Sequence, residues 1–233
     1  ALVAMPFSAG GVRFTAGLGA VQYANLDHYY QNNNVLAPEV LSQRPLPVLR
    51  PTDDNPVAVD WYQTSRSREG ALYGYGLALA GHVERMNLTV GLSGLLLSGD
   101  SDDVEQEVQR GRLTFFANEF RADSAAGRVT RTGTSSFSGR EFALSTLLGG
   151  EYVSLGFVLK PPTTFTRTYE LAVEGDTAGV PFTASVEGED RFQLPWRGSV
   201  GLLLQPREKL RVGMEYEFRP YASAAFTSDA GDE

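Results

Sequence analysis

The chain has 233 residues, a formal net charge of −8 and a sequence pI of about 4.9, so a nucleic-acid footprint, which would be basic, is disfavoured. Cysteine is absent, which removes disulfide frameworks, thiolate metal sites and cysteine nucleophiles together. No apolar run reaches the ~18 residues of a membrane-spanning helix, but barrel strands carry only half-apolar sequence and that class stays open.

In chain order, Ala1 to Phe7 reads as a strand already under way, and Ser8 to Gly11 as a turn. A strand follows from Val12 to about Tyr23, with Val12, Phe14, Ala16, Leu18 and Ala20 on one parity. Residues 25–68 are polar and rich in proline, and predict a long outer loop that also holds Leu36, Val40 and Leu41. The third strand spans about 69–83, setting Tyr73, Tyr75, Leu77 and Leu79 against Gly74, Gly76, Ala78 and Ala80. Glu84 to Asn87 is a short turn, and Leu88 to Ser98 the fourth strand.

Residues 99–139 predict a second long loop, acidic at its start and rich in Ser, Thr and Gly at its end. Inside it, Leu113, Phe116, Ala117 and Phe120 have the spacing of a short amphipathic helix. Strands then follow at about 140–148 and from Tyr152 to Leu159, on either side of Gly149-Gly150. Alternation resumes after Pro161-Pro162 with Phe165, Tyr169, Leu171 and Val173. A loop at 174–181 precedes Phe182, Ala184 and Val186.

Leu194 to Tyr221 is a hairpin turning at 205–209. In its second half Leu210, Val212, Met214, Tyr216 and Phe218 share one parity, and Arg211, Glu215, Glu217 and Arg219 the other. About eight strand segments result, and short and long connections alternate. That sorting predicts an all-β fold, an antiparallel up-and-down transmembrane barrel with tight turns at one rim and long loops at the other. The apolar parity of the hairpin then faces lipid and the charged one the lumen. The whole chain reads as a single β-barrel domain or part of one, located in the outer membrane.

Several pieces carry a resemblance: GVRFTAGLGAVQYANLDHYY, YGLALAGHVERMNLTVGLSGLLLSGD, GGEYVSLGFVLKPPTTFTRTYE and LPWRGSVGLLLQPREKLRVGMEYEFRP. Together they resemble the outer-membrane hydrophobic-compound transporters, the long-chain fatty-acid transporter family. The resemblance covers most strands of about residues 1–221 but not the long loops. It implies a monomeric barrel of about fourteen strands with a hatch in its lumen. It also implies passive uptake of hydrophobic molecules such as fatty acids, with first binding in an outer apolar groove. No hatch segment precedes Ala1 and no terminal strand is recognised, so this reading expects an internal part of a longer protein.

For sites, Leu113, Phe115, Phe116 and Phe120 are the candidate ligand groove, because an acyl chain needs apolar side chains gathered out of water. Covering of the loop's own apolar side is the competing reading. Arg211, Glu215, Glu217 and Arg219 are the candidate lumen lining, or a solvated face of mutually paired charges. Asp100, Asp102 and Asp103 lack the spacing of a calcium loop and read as a solvated acidic tip. His28 and His82 have no nucleophile context, so no catalytic residue, metal site, cofactor or enzymatic activity is expected. The expected partners are membrane lipid and a hydrophobic small molecule. A secretion-associated shuttle or scaffold barrel whose loops bind protein, and a soluble cell-surface β-domain, are the alternatives.

Overall fold

A computed structural model describes residues 1–36, 51–124, 127–177, 179–207 and 209–228. Its strands are β1 (Leu2–Ala9), β2 (Val12–Asn25), β3 (His28–Leu36), β4 (Val57–Val83), β5 (Leu88–Phe115), β6 (Phe120–Asp123) and β7 (Gly127–Leu148). There follow β8 (Val153–Lys160), β9 (Thr163–Thr177), β10 (Val180–Leu194), β11 (Arg197–Arg207), β12 (Leu210–Phe218) and β13 (Ala225–Ser228). All lie in one antiparallel sheet.

The ladders reduce these strands to eight passes of the chain, in line with the segments predicted. β2 and β3 both pair with β4 and are separated by Leu26-Asp27. β8 and β9 both pair with β7, with Pro161-Pro162 between them. β11 and β10 pair with β8 and β9 across Pro195-Trp196, and β12 and β13 pair with β11 and β10 in turn. Proline has no N–H to give a ladder, which accounts for the breaks at Pro161-Pro162 and Pro195, whereas the break at Leu26-Asp27 holds no proline. β6 is a short return along the end of β5. Each pass lies beside the next, so the sheet is an up-and-down meander. It is open: its path runs from β1 to β12, and no ladder joins those two among the described residues.

β4, β5 and β7 form a trunk. β4 and β5 pair from Val83↔Leu88 to Val57↔Phe115, with one bulge beside Trp61 and Tyr62. β5 and β7 pair from Leu88↔Leu148 to Gln109↔Gly127. A lower tier (β1, β2, β8, β11, β12) and an upper tier (β3, β9, β10, β13) branch from this trunk on either side.

Three expectations need correction. Much of the two stretches predicted as outer loops, 25–68 and 99–139, is strand, forming β3 and the upper halves of β4, β5 and β7. Strand periodicity shows in hydropathy only when the two faces differ, and here both are largely polar. Second, the segment from Leu113 to Phe120 is no helix but the end of β5, a turn closed by Phe116 N–H to Glu119 O (2.8 Å), and the start of β6. Pairing with β4 and β6 overrides the helical spacing. Third, 174–181 is mostly strand, and β9 turns into β10 at Thr177↔Val180.

The two faces differ sharply in the lower tier and in the half of the trunk that it flanks. Leu77, Leu92, Leu96, Phe142, Val200, Met214 and Tyr216 share one face and are exposed, Leu77 at 70%. This belt ends at Tyr73, Leu96, Phe142, Leu159, Trp196 and Phe218. Above it the same face carries Ser65, Ser67, Asp100, Asp102, Thr134, Ser136 and Glu170. The other face is concave, since Tyr23 of β2 reaches Glu141 of β7 (2.7 Å) although β4 and β5 lie between them. Leu72, Leu97, Leu171 and Val173 are buried there, together with Ser101, Asp103, Ser135, Glu141, Thr163 and Asp190.

Candidate functional site

Two buried carboxylates organise the concave face. In the upper tier Asp103 (β5) accepts from Arg68 Nε and Nη2 (2.6 and 3.0 Å), Ser101 Oγ (3.1 Å), Ser135 Oγ (2.6 Å) and Arg167 Nη2 (2.7 Å). Arg167 (β9) also donates to Asp190 of β10 (3.0 Å), which accepts from Ser228 of β13 (2.8 Å). The chain of bonds therefore crosses six neighbouring passes. Phe137 and Tyr169 lie against the guanidinium groups of Arg68 and Arg167. Burial alone would push the Asp103 carboxyl up; the hydrogen bonds from Arg68, Ser135 and Arg167 outweigh it and hold the pKa at about 2.

In the lower tier Glu141 accepts from Lys160 Nζ (2.8 Å), Arg197 Nη2 (2.6 Å) and Tyr23 Oη. It fastens the end of β8 and the start of β11 to the trunk, where Pro161, Pro162 and Pro195 interrupt the ladders. Sequence reasoning missed both hubs. Their only sequence signal is ionisable residues on an inward parity at positions too far apart in the chain to be joined without the fold.

The residues predicted for the lumen share the parity of the concave face. Glu215 and Glu217 stand opposite Gly201 and Ser199, on the same side as Arg197. Glu217 and Arg219 form an ion pair, and Arg211 shares their parity. The acidic trio is split between faces: Asp103 is 2% exposed, whereas Asp100 and Asp102 point outward and Asp100 accepts from Ser136 Oγ (2.7 Å). The expected solvated tip is thus corrected, because alternation along β5 separates neighbours. His82 sits across from Thr89 (3.0 Å), and His28 lies near Leu26 O in the other tier.

At the top of the trunk, the predicted groove residues come together in part. Phe115 stands opposite Val57 on one side and Phe120 on the other, with the Phe115 and Phe120 rings 6.2 Å apart. Leu113 faces Val59, which is buried, and Trp61 faces Leu36 and packs over Gly111. One face therefore gathers Leu36, Val59, Trp61, Leu113, Phe115 and Phe120. Phe116 is not part of it and stacks under the Arg121 guanidinium (5.0 Å). Val40 and Leu41 lie outside the described residues. On the opposite face Arg112 clasps Asp60 through two bonds (2.7 and 2.9 Å), which lower the Asp60 pKa.

Lower down, the exposed apolar belt holds a trough of about 1010 Å³ lined by Leu18, Leu77, Leu79, Leu92, Leu96 and Phe142. No family model, curated protein or solved structure matches the chain.

Proposed function

We propose that this chain is part of the wall of an outer-membrane β-barrel that admits hydrophobic small molecules by passive passage, without catalysis or cofactor. The observation that carries the reading is the apolar belt of the lower tier. It runs across the outward face of the passes at a height of roughly 9–11 residues, the length a tilted strand needs to cross a bilayer. Soluble monomers rarely expose contiguous apolar patches larger than a few hundred Å², and this belt includes Leu77, Leu92, Leu96, Phe142, Met214 and Tyr216 together. Aromatic side chains mark its upper boundary, with Trp196 and Phe218 in ring contact (5.2 Å), as interfacial girdles do.

Leu113, Phe115 and Phe120 with Val59 and Trp61 are the favoured first landing place for a hydrophobic molecule. Phe120 is 64% exposed, so its ring is available to a ligand. The test has two arms. Extraction of the protein from envelopes without detergent would sink the membrane assignment. Phe120→Arg should lower uptake of a hydrophobic substrate several-fold; unchanged uptake would retire the groove and leave a protein-binding barrel as the reading to pursue.

A further inference from the structure

We infer that the molecule received at the tip cluster is oxygenated: it carries a hydrogen-bond acceptor and takes the indole N–H of Trp61. This rests on the proposed groove and specifies what occupies it. Trp61 Nε1 is sealed from solvent and donates to no group among the described residues. Buried donors in native proteins nearly always have a partner, so an orphan N–H calls for a cause. Among the described residues no acceptor takes this N–H. The ring rests on Gly111, where an added Cβ would come within 3.2 Å of it; toward the tip its neighbours on that face are Leu36, Val59 and Leu113, and on the other side Gln63. Trp61 lies between β3 and β5, paired with Leu36 and Gly111, beside the bulge where the β4–β5 register skips Arg110. The charged groups of this end face the other way, where Asp60 and Arg112 satisfy each other.

A pure hydrocarbon entering this cluster would leave the N–H as unsatisfied as before. A carbonyl, ester or hydroxyl oxygen on the same skeleton would satisfy it. Indole is also amphipathic, with an apolar body that packs against the cluster and a single donor at its edge. The site so composed favours an apolar chain or ring bearing one oxygen.

The probes that test this are undecane and 2-undecanone, because a ketone accepts and cannot donate. They are compared on the full chain in lipid nanodiscs. Trp61→Phe keeps the ring and removes the donor. It should weaken 2-undecanone about tenfold, the worth of one hydrogen bond, and shift undecane by less than twofold. Equal weakening of both, or unchanged binding of the ketone, overturns the proposal. Phe120→Arg separates this failure from that of the groove: if it leaves both probes unchanged, the groove itself is wrong. Should Trp61→Phe fail to fold, the chain's two tryptophans give an indole ¹⁵N–¹H spectrum with two signals. The Trp61 signal, assigned with Trp196→Phe, should move downfield with 2-undecanone and stay with undecane. Identical responses to both probes overturn the assignment.

Discussion

Arg167 of β9 and Asp103 of β5 are joined at 2.7 Å although β7 lies between their strands. The bond is made over Ser135, whose hydroxyl also donates to Asp103 and receives Arg167 Nε (2.9 Å). Removing one member of such a buried set leaves the others uncompensated, which costs about 3–5 kcal/mol. Arg167→Met should therefore lower the unfolding free energy by that amount, read from urea titration in detergent micelles. A change below about 1 kcal/mol would mean that the upper tier does not depend on the hub.

The same carboxylate gives a pH signature. Its folded pKa of about 2 lies below its ordinary 3.8, so the native state favours the charged form. Stability from this group is fully present above about pH 4 and is lost as pH falls through about 2; the contribution is about 2 kcal/mol. Wild type should lose stability across that window, and Asp103→Asn should flatten this part of the profile. Parallel profiles would show that other groups set the acid response.

Leu77 separates the settings in which the belt could lie. It is 70% exposed in the middle of the apolar face, so in water Leu77→Arg should change stability by less than about 0.5 kcal/mol. In a bilayer an arginine at mid-depth costs about 2–4 kcal/mol. Refolding yields and urea midpoints in liposomes decide between these values.

Close strand approach makes Gly133 intolerant of a side chain. A Cβ there would lie 1.9 Å from the Glu170 carbonyl oxygen across the β7–β9 ladder. Gly133→Ala should destabilise by at least about 1–3 kcal/mol as the strands move apart. Amide exchange on β9 should rise with it, whereas exchange on β11 and β12 should stay as in wild type.

Asn87 adopts φ +48° at the turn between β4 and β5, and its side-chain amide donates to Gly149 O (2.6 Å) while its carbonyl receives Gly149 N–H (2.8 Å). Asn87→Gly keeps the backbone shape and drops the side-chain bond; Asn87→Ala loses both. The expected order of thermal stability is Asn, Gly, Ala, with about 1–2 kcal/mol between the ends.

The eight passes, the turns below them and the segregated faces of β12 were legible because Leu210 to Phe218 alternate apolar with polar. The upper tier was hidden for the opposite reason. Ser65, Asp102, Thr134 and Glu170 look like loop sequence, and only pairing across the trunk makes strands of them. The hubs were hidden by distance, since Arg68 and Asp103 are 35 residues apart and Tyr23 and Glu141 are 118 apart. At the tip, Leu113, Phe116 and Phe120 were grouped on a helical spacing the chain does not adopt; Leu113 and Phe120 still share a face with Phe115 because they pair on β5 and β6, and Phe116 does not. Trp61 was missed because it sits in a run of polar residues, and its partners come from β3 and β5.

The tight turn between β9 and β10 lies at the end of the sheet opposite to those at 84–87 and 209. Hairpins zip outward from their turns, because the nearest contacts close the smallest loops. β9–β10 therefore closes downward while β11–β12 closes upward, and the two fronts meet at Pro195-Trp196. There the passes disagree in length: from Gln193 to Gly198 one advances five residues, while its neighbour covers seven from Phe218 to Ala225. Between Gly139 and Leu144, β7 likewise advances five residues against six from Leu159 to Phe165. The proline breaks thus act as slack, allowing hairpins that set their registers independently to join in one sheet without forcing either to slip.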